Sequence, residues 1–135
     1  MRFAALLAFT LVAGTAVADE PTFLVDVLQN RAYHATWDKL IKVVQPTPDW
    51  LLQFSRDFDG VASDIKPITI DGKTYQIAYV CKPTECAGHR FEVLFEPGGA
   101  HAYGAVGGVG EPPEFYGEPA PGPALQDVLA KALKN

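Results

Sequence analysis

Basic residues are scarce in this chain of 135 residues. Lysine and arginine together number 11 against 16 acidic residues, which gives a formal net charge of −5. Nucleic acids and anionic membrane surfaces both attract basic proteins, so we expect neither as a partner. A cationic partner is compatible with this charge.

Long hydrophobic runs are also missing, apart from one near the N-terminus. The stretch 3–13 is almost continuously apolar, but it is shorter than the about 18 residues that suggest a membrane helix. Arg2 precedes it, and Ala16-Val17-Ala18 follows with the small residues that signal peptidase accepts. This pattern predicts a signal peptide over residues 1–18 and an exported domain over residues 19–135, long enough for one hydrophobic core.

The sequence lacks the motifs of common catalytic and metal sites. Its two serines, Ser55 and Ser63, do not lie in a G-x-S-x-G motif, and the glycines of 104–110 are not followed by the Gly-Lys-Ser/Thr of a phosphate-binding loop. The histidines do not have the spacing of metal ligands; they are His34, His89 and His101. We therefore expect neither an enzyme nor a bound metal or cofactor.

Only two cysteines are present, Cys81 and Cys86, and they enclose four residues. In an exported chain an even number of cysteines favours a disulfide. Closing so small a ring stabilises a fold by only about 2 kcal/mol, so it is better suited to holding a local loop in one shape. A redox role is less favoured, because thioredoxin-like motifs have two intervening residues at a helix N-terminus.

Hydrophobic periodicity predicts helices at both ends of the exported domain. Apolar residues recur at helical spacing over 22–30, 35–44 and 124–134. Thr47-Pro48-Asp49 predicts a further helix start, with the Thr47 hydroxyl as N-cap and proline in the first turn.

A period of two replaces the helical pattern from Ile65 onwards. Strands are predicted on both sides of the turn signal Asp71-Gly72, then from Arg90 and from His101, with a short edge strand at Phe115-Tyr116. The connections are too short for parallel crossovers. The expected fold is therefore α+β, with a central antiparallel sheet of about five strands flanked by helices.

In this arrangement the two cysteines lie at the tip of a hairpin. Cys81 ends one strand, Arg90 begins the next, and Pro83 and a disulfide would stiffen the loop between them. A stiff loop is suited to binding, because few side chains remain to be ordered when a partner arrives. The residues presented would be Lys82, Pro83, Thr84 and Glu85. A disulfide that only orders a turn is the alternative, and spacing alone favours it.

Three short segments precede the charged strand that starts at Arg90. They are 48–51 (Pro-Asp-Trp-Leu), 72–76 (Gly-Lys-Thr-Tyr-Gln) and 81–86 (Cys-Lys-Pro-x-x-Cys). Together they resemble the inhibitor of vertebrate lysozyme (Ivy) family of Gram-negative bacteria. The resemblance implies a periplasmic, often dimeric inhibitor with a central antiparallel sheet flanked by helices. It also implies that the disulfide-closed loop enters the active-site cleft of C-type lysozyme.

The chain departs from the family pattern at the centre of this loop. The family's loop reads Cys-Lys-Pro-His-Asp-Cys, and the resemblance implies that its histidine hydrogen-bonds the catalytic carboxylates. Here Thr84 stands at the histidine position and Glu85 at the aspartate position. Thr84 offers a single hydroxyl donor with shorter reach, and Glu85 would repel catalytic carboxylates if it pointed at them.

Two functions are therefore open. The first is a periplasmic inhibitor of lysozyme or another muramidase that contacts its target through Lys82, Pro83, Thr84 and Glu85. The alternative is a cell-wall housekeeping module that binds endogenous lytic transglycosylases or peptidoglycan without inhibiting animal lysozyme. The resemblance adds a homodimer as an expected assembly.

Overall fold

The computed structural model describes residues 22–135, and the predicted signal peptide over residues 1–18 lies outside them. Helices begin and end the described part of the chain, as the periodicity predicted. They are α1 (Leu24–Val27), α2 (Arg31–Val43), α3 (Asp49–Asp57) and α4 (Pro123–Ala132).

An antiparallel sheet of six strands lies between α3 and α4 in the chain. The strands are β1 (Val61–Ala62), β2 (Lys66–Ile70), β3 (Lys73–Cys81), β4 (Arg90–Phe95), β5 (Ala102–Gly108) and β6 (Glu111–Gly117). Their order is β1-β3-β4-β5-β6, and β2 also pairs with β3. The α+β fold with a central antiparallel sheet is confirmed. It has one strand more than the approximate prediction.

Strand β6 is longer than the predicted edge strand at Phe115-Tyr116, which lies inside it. Pro112 and Pro113 hide it in the sequence, because proline cannot donate a hydrogen bond to a strand ladder. The strand tolerates them because it is the last in the sheet order and pairs only with β5. A register shift between Val106 and Gly108 bends this pair close to its turn.

Helices α2 and α3 pack on one face of the sheet around a fully buried indole. The Trp37 ring meets Phe91 and Phe54 edge-on, with ring centroids 5.6 and 5.7 Å apart. Its Nε1 donates to the Ser55 hydroxyl oxygen at 3.0 Å. Truncating such a side chain to alanine typically costs about 3–5 kcal/mol, so Trp37 fixes how the helices lie on the sheet.

The helix starts differ from the prediction in detail. The N-cap predicted at Thr47 is wrong, because Pro48 occupies that position and the Thr47 hydroxyl donates to the Val44 carbonyl oxygen at 2.5 Å. Helix α2 begins earlier than predicted, because the Asn30 side chain accepts the Ala32 N–H at 2.9 Å and caps it.

The turn predicted at Asp71-Gly72 is confirmed between β2 and β3. Both residues have positive φ, 49° and 78°, as a two-residue hairpin turn with the twist of the strands requires. Strand β3 runs from this turn to Cys81, so the turn and the cysteines lie at opposite ends of the sheet.

Helix α4 covers part of the other face and borders a buried ion pair. Arg90 donates to Glu92 Oε1 at 2.6 Å and also to the main-chain oxygen of Asn135. The guanidinium carbon lies 3.9 Å from the centroid of the Tyr79 ring. Only 2% of Glu92 is exposed. Burial raises the pKa of Glu92 to about 7, and the neighbouring Arg90 offsets this only in part.

This raised pKa predicts a pH-dependent contribution to stability. The pKa of Glu92 is about 7 in the folded chain against an ordinary 4.5, so the folded state holds the proton more tightly. Stability contributed by the group is therefore present at low pH and is lost as the pH rises from about 5 to about 8.

The Glu92→Gln variant removes this titration and keeps an oxygen that can accept from Arg90. Its free energy of unfolding, relative to the unmodified chain, should increase between pH 5 and pH 8 by on the order of 2 kcal/mol. Urea titrations at the two pH values measure this change. If the difference in free energy of unfolding between the variant and the unmodified chain stays constant with pH, the raised pKa of Glu92 is contradicted.

Candidate functional site

The loop 82–89 joins the ends of β3 and β4. Cys81 and Arg90 face each other in the ladder at this point, and a disulfide joins Cys81 to Cys86, as the sequence predicted. The Lys82 N–H donates to the His89 carbonyl oxygen at 3.0 Å, which continues the pairing one step beyond the strands. The cysteine ring, residues 81–86, is therefore seated on the central strand pair of the sheet.

The four residues inside the ring form a tight turn. The Glu85 N–H donates to the Lys82 carbonyl oxygen at 3.1 Å, and Thr84 has a φ of 66°. Proline at the second position and a positive φ at the third are features of a type II turn. The third position of that turn favours glycine or asparagine, so a β-branched threonine there stores local strain.

The apex of the ring carries one uncharged hydroxyl beside an ion pair. Pro83, Thr84 and Glu85 are exposed, and Lys82 is half-buried. The Lys82 Nζ lies 2.6 Å from Glu85 Oε2. The hydrogen bond and the charge of Lys82 hold the pKa of Glu85 below its usual range. Glu85 is thus ionised and paired within the ring at neutral pH.

The β5–β6 hairpin supports the loop from one side. The Val109 N–H donates to the Ala87 carbonyl oxygen at 2.8 Å. Gly108 lies so close to the loop that a Cβ there would come within 2.8 Å of the same oxygen and would overlap Gly88. Local sequence does not reveal this role of Gly108, because the contact depends on how two hairpins meet.

His89 follows the ring and faces the start of α3. Its N–H donates to the Glu85 carbonyl oxygen at 3.1 Å. The residue is exposed and lines a shallow depression together with Pro48, Trp50 and Lys82. The ring and the start of α3 therefore border one continuous surface.

Both serines are occupied with structural hydrogen bonds. The Ser55 hydroxyl accepts from Trp37 and donates to the Leu51 carbonyl oxygen at 2.8 Å. The Ser63 hydroxyl donates to the Asp64 carbonyl oxygen at 2.7 Å and accepts the Tyr79 N–H at 2.8 Å. Each hydroxyl therefore holds neighbouring backbone in place.

The histidines do not come together. His34 lies 3.4 Å from Asp38 on α2, while His89 and His101 are exposed residues of separate loops. Over residues 22–135, no group of three or more histidine, cysteine, aspartate or glutamate side chains is arranged to hold a metal ion. In the same part of the chain, every helix is too short or too polar to cross a membrane.

Replacing Gly108 with alanine should displace the loop without unfolding the sheet. The added Cβ would overlap the backbone of residues 87 and 88, so the hydrogen bond from Val109 to Ala87 should break. Hydrogen exchange of the Val109 amide should then be faster by about tenfold or more.

Gly88→Ala is the matched control, because a Cβ at that position would meet no atom within 4 Å. Equal exchange rates for the Val109 amide in the two variants would refute the supporting role of the β5–β6 hairpin.

Comparison with known proteins identifies the family. Residues 32–135 match the family model described as inhibitor of vertebrate lysozyme (Ivy). The chain is 30% identical over 144 residues to the inhibitor of vertebrate lysozyme of Pseudomonas aeruginosa PAO1, which covers 97% of this chain and 90% of that protein. It is 29% identical over 104 residues to an uncharacterized protein of Yersinia pestis, covering 77% of this chain and 64% of that protein. It is 28% identical over 115 residues to an uncharacterized protein of P. aeruginosa PAO1, covering 78% of this chain and 72% of that protein. The chain therefore belongs to the inhibitor of vertebrate lysozyme (Ivy) family.

Proposed function

We propose that this chain is an exported inhibitor of a peptidoglycan-cleaving muramidase, of the C-type lysozyme class or a related one, and that the cysteine ring is its target-binding element. The observation that carries the proposal is an exposed, disulfide-closed turn seated at the end of the sheet in a chain of this family. The residues that contact the target are Lys82, Pro83, Thr84 and Glu85. The chain acts by binding and not by catalysis.

The shape of the ring suits an enzyme cleft. Its apex is a four-residue turn closed by one backbone hydrogen bond inside a six-residue ring, which makes a narrow edge. Its base is held by β3, β4 and the β5–β6 hairpin. A loop ordered in advance avoids much of the about 0.5–1.5 kcal/mol per side chain that ordering on binding would require.

Thr84 stands where the family's histidine would meet the catalytic carboxylates. A histidine has two ring nitrogens that can donate and, when protonated, a charge, and charge-assisted hydrogen bonds are roughly twice as strong as neutral ones. The loss of a central contact of this kind typically weakens binding by about 2–4 kcal/mol. Histidine is also commoner than threonine at positive φ, so the turn itself would accept the family's residue readily.

The pairing of Lys82 with Glu85 reduces the repulsion expected between Glu85 and catalytic acids. The carboxylate lies 2.6 Å from the ammonium group, so the ring presents a nearly neutral pair to a cleft that carries negative charge. Acidic residues elsewhere on the chain attract a basic lysozyme, and the net charge of −5 should speed their encounter at low salt.

The location follows from the same proposal. Residues 1–18 direct export, and the disulfide forms in the oxidising periplasm, where a peptidoglycan-cleaving enzyme would be met. A homodimer and a single domain over residues 19–135 remain predictions of the sequence.

The threonine at the apex favours a second candidate function. A loop without the family's histidine suits a target whose cleft differs from that of animal lysozyme. Such a target would be an endogenous lytic transglycosylase, or peptidoglycan itself, bound without inhibition of animal lysozyme.

Variants of Thr84 distinguish the two candidates. In a lysozyme turbidity assay, Thr84→His should strengthen inhibition of C-type lysozyme by roughly tenfold or more, because it restores a charge-assisted contact. Combined alanine substitution of Thr84 and Glu85 should weaken it. Thr69→Ala is the control, an exposed threonine near the far end of the β2–β3 hairpin.

Two results would count against the inhibitor. The first is no inhibition by the unmodified chain at tens of micromolar together with no complex on size exclusion. The second is equal inhibition by the double alanine variant and Thr69→Ala. Capture of a lytic transglycosylase from a periplasmic extract by the unmodified chain, with no effect on animal lysozyme, would favour the second candidate.

A further inference from the structure

A second concave region lies beside the cysteine ring. It is a groove of about 310 Å³ between the loop 82–89, the start of α3 and strand β6. We call it the acidic groove, after two carboxylates on one wall. Its lining includes Pro48, Trp50, His89, Val106, Glu111 and Glu114.

The acidic groove is continuous with the ring surface. Pro48, Trp50 and His89 also line the shallow depression that Lys82 borders. The hydrogen bond from Val109 to the loop keeps the β5–β6 hairpin next to the ring. A protein wide enough to bury the ring would therefore also lie over the groove.

The two carboxylates of the groove have no cationic partner of their own. Glu111 and Glu114 are exposed, and neither forms an ion pair with another of the residues 22–135. Glu114 accepts the Tyr116 hydroxyl at 2.6 Å, and burial together with this bond raises the pKa of Tyr116 to about 12. The hydroxyl therefore stays protonated and holds Glu114 in place.

We propose that the acidic groove receives a lysine or arginine side chain of the muramidase whose cleft takes up the ring. Trp50 offers an aromatic surface for a cation, and Glu111 offers a charge-assisted hydrogen bond. The net charge of −5 fits a basic partner. A glycan would use the aromatic ring without needing unpaired charges, so a cationic side chain is the better match. This inference rests on the proposed function and extends its contact surface beyond the ring.

Charge reversal at one end of β6 tests the inference. Glu111→Lys should weaken the affinity for a C-type lysozyme by about tenfold or more, because it places a cation where one must bind. Glu118→Lys is the matched control, since it makes the same charge change just beyond the opposite end of β6, where Gly117 pairs with Tyr103. It should weaken affinity by about twofold at most, and thermal unfolding of both variants checks that the fold is intact.

The outcomes separate this inference from the proposed function. If Thr84→His changes the affinity while Glu111→Lys and Glu118→Lys behave alike, the groove assignment is wrong and the ring assignment stands. If Glu111→Lys alone loses affinity, the groove is part of the contact. If the unmodified chain binds no lysozyme, the proposed function fails first.

A further titration tests whether the acidic groove binds a glycan instead of a cationic side chain. A chitin oligosaccharide is titrated into the chain without lysozyme, and tryptophan fluorescence is followed. The inference expects no saturable change. A saturable change that Glu111→Gln abolishes would overturn it and would make the groove a glycan site.

Discussion

The pairing of β3 with β4 fixes where the cysteine ring stands and which way its backbone leaves the sheet. Cys81 faces Arg90 in this register. A slip of one residue would move every side chain of β4 to the other face, which both cores forbid. Phe91 packs against Trp37 on one side, and Leu94 packs with the α4 side on the other. The position of the loop is therefore set by the two hydrophobic cores, and the disulfide acts within that frame.

Stiffness of the ring has several sources, each modest alone. Closing a six-residue ring contributes about 2 kcal/mol. Backbone hydrogen bonds inside the loop and from Val109 each add about 1 kcal/mol. Against these stands the left-handed Thr84, a strained residue at the exposed apex of the ring. Local backbone strain of this kind persists only where the surrounding structure holds the residue in place, as the disulfide and the loop hydrogen bonds do here.

Much of this architecture is readable from local sequence, and the rest depends on contacts between distant segments. The Asp71-Gly72 turn and the cysteine ring are local signals, and both were predicted. Strand β6 was largely missed, because Pro112 and Pro113 argue against a strand unless it is known to lie at an edge. The positive φ of Thr84 and the packing of Gly108 on the loop have no local signature. The burial of Glu92 also has no local signature. The alternation of apolar and polar residues predicts which face of the sheet a side chain takes, but not which helix covers that face.

Competition with a ligand of the cleft tests most directly whether the ring enters an enzyme's active site. A chitin oligosaccharide that fills the cleft of C-type lysozyme is added at increasing concentration, and the apparent dissociation constant of the chain for lysozyme is measured. Insertion of the ring into the cleft predicts an apparent constant that rises in proportion to the oligosaccharide concentration. A chain that binds lysozyme with an unchanged constant, even when the cleft is saturated, would contradict it.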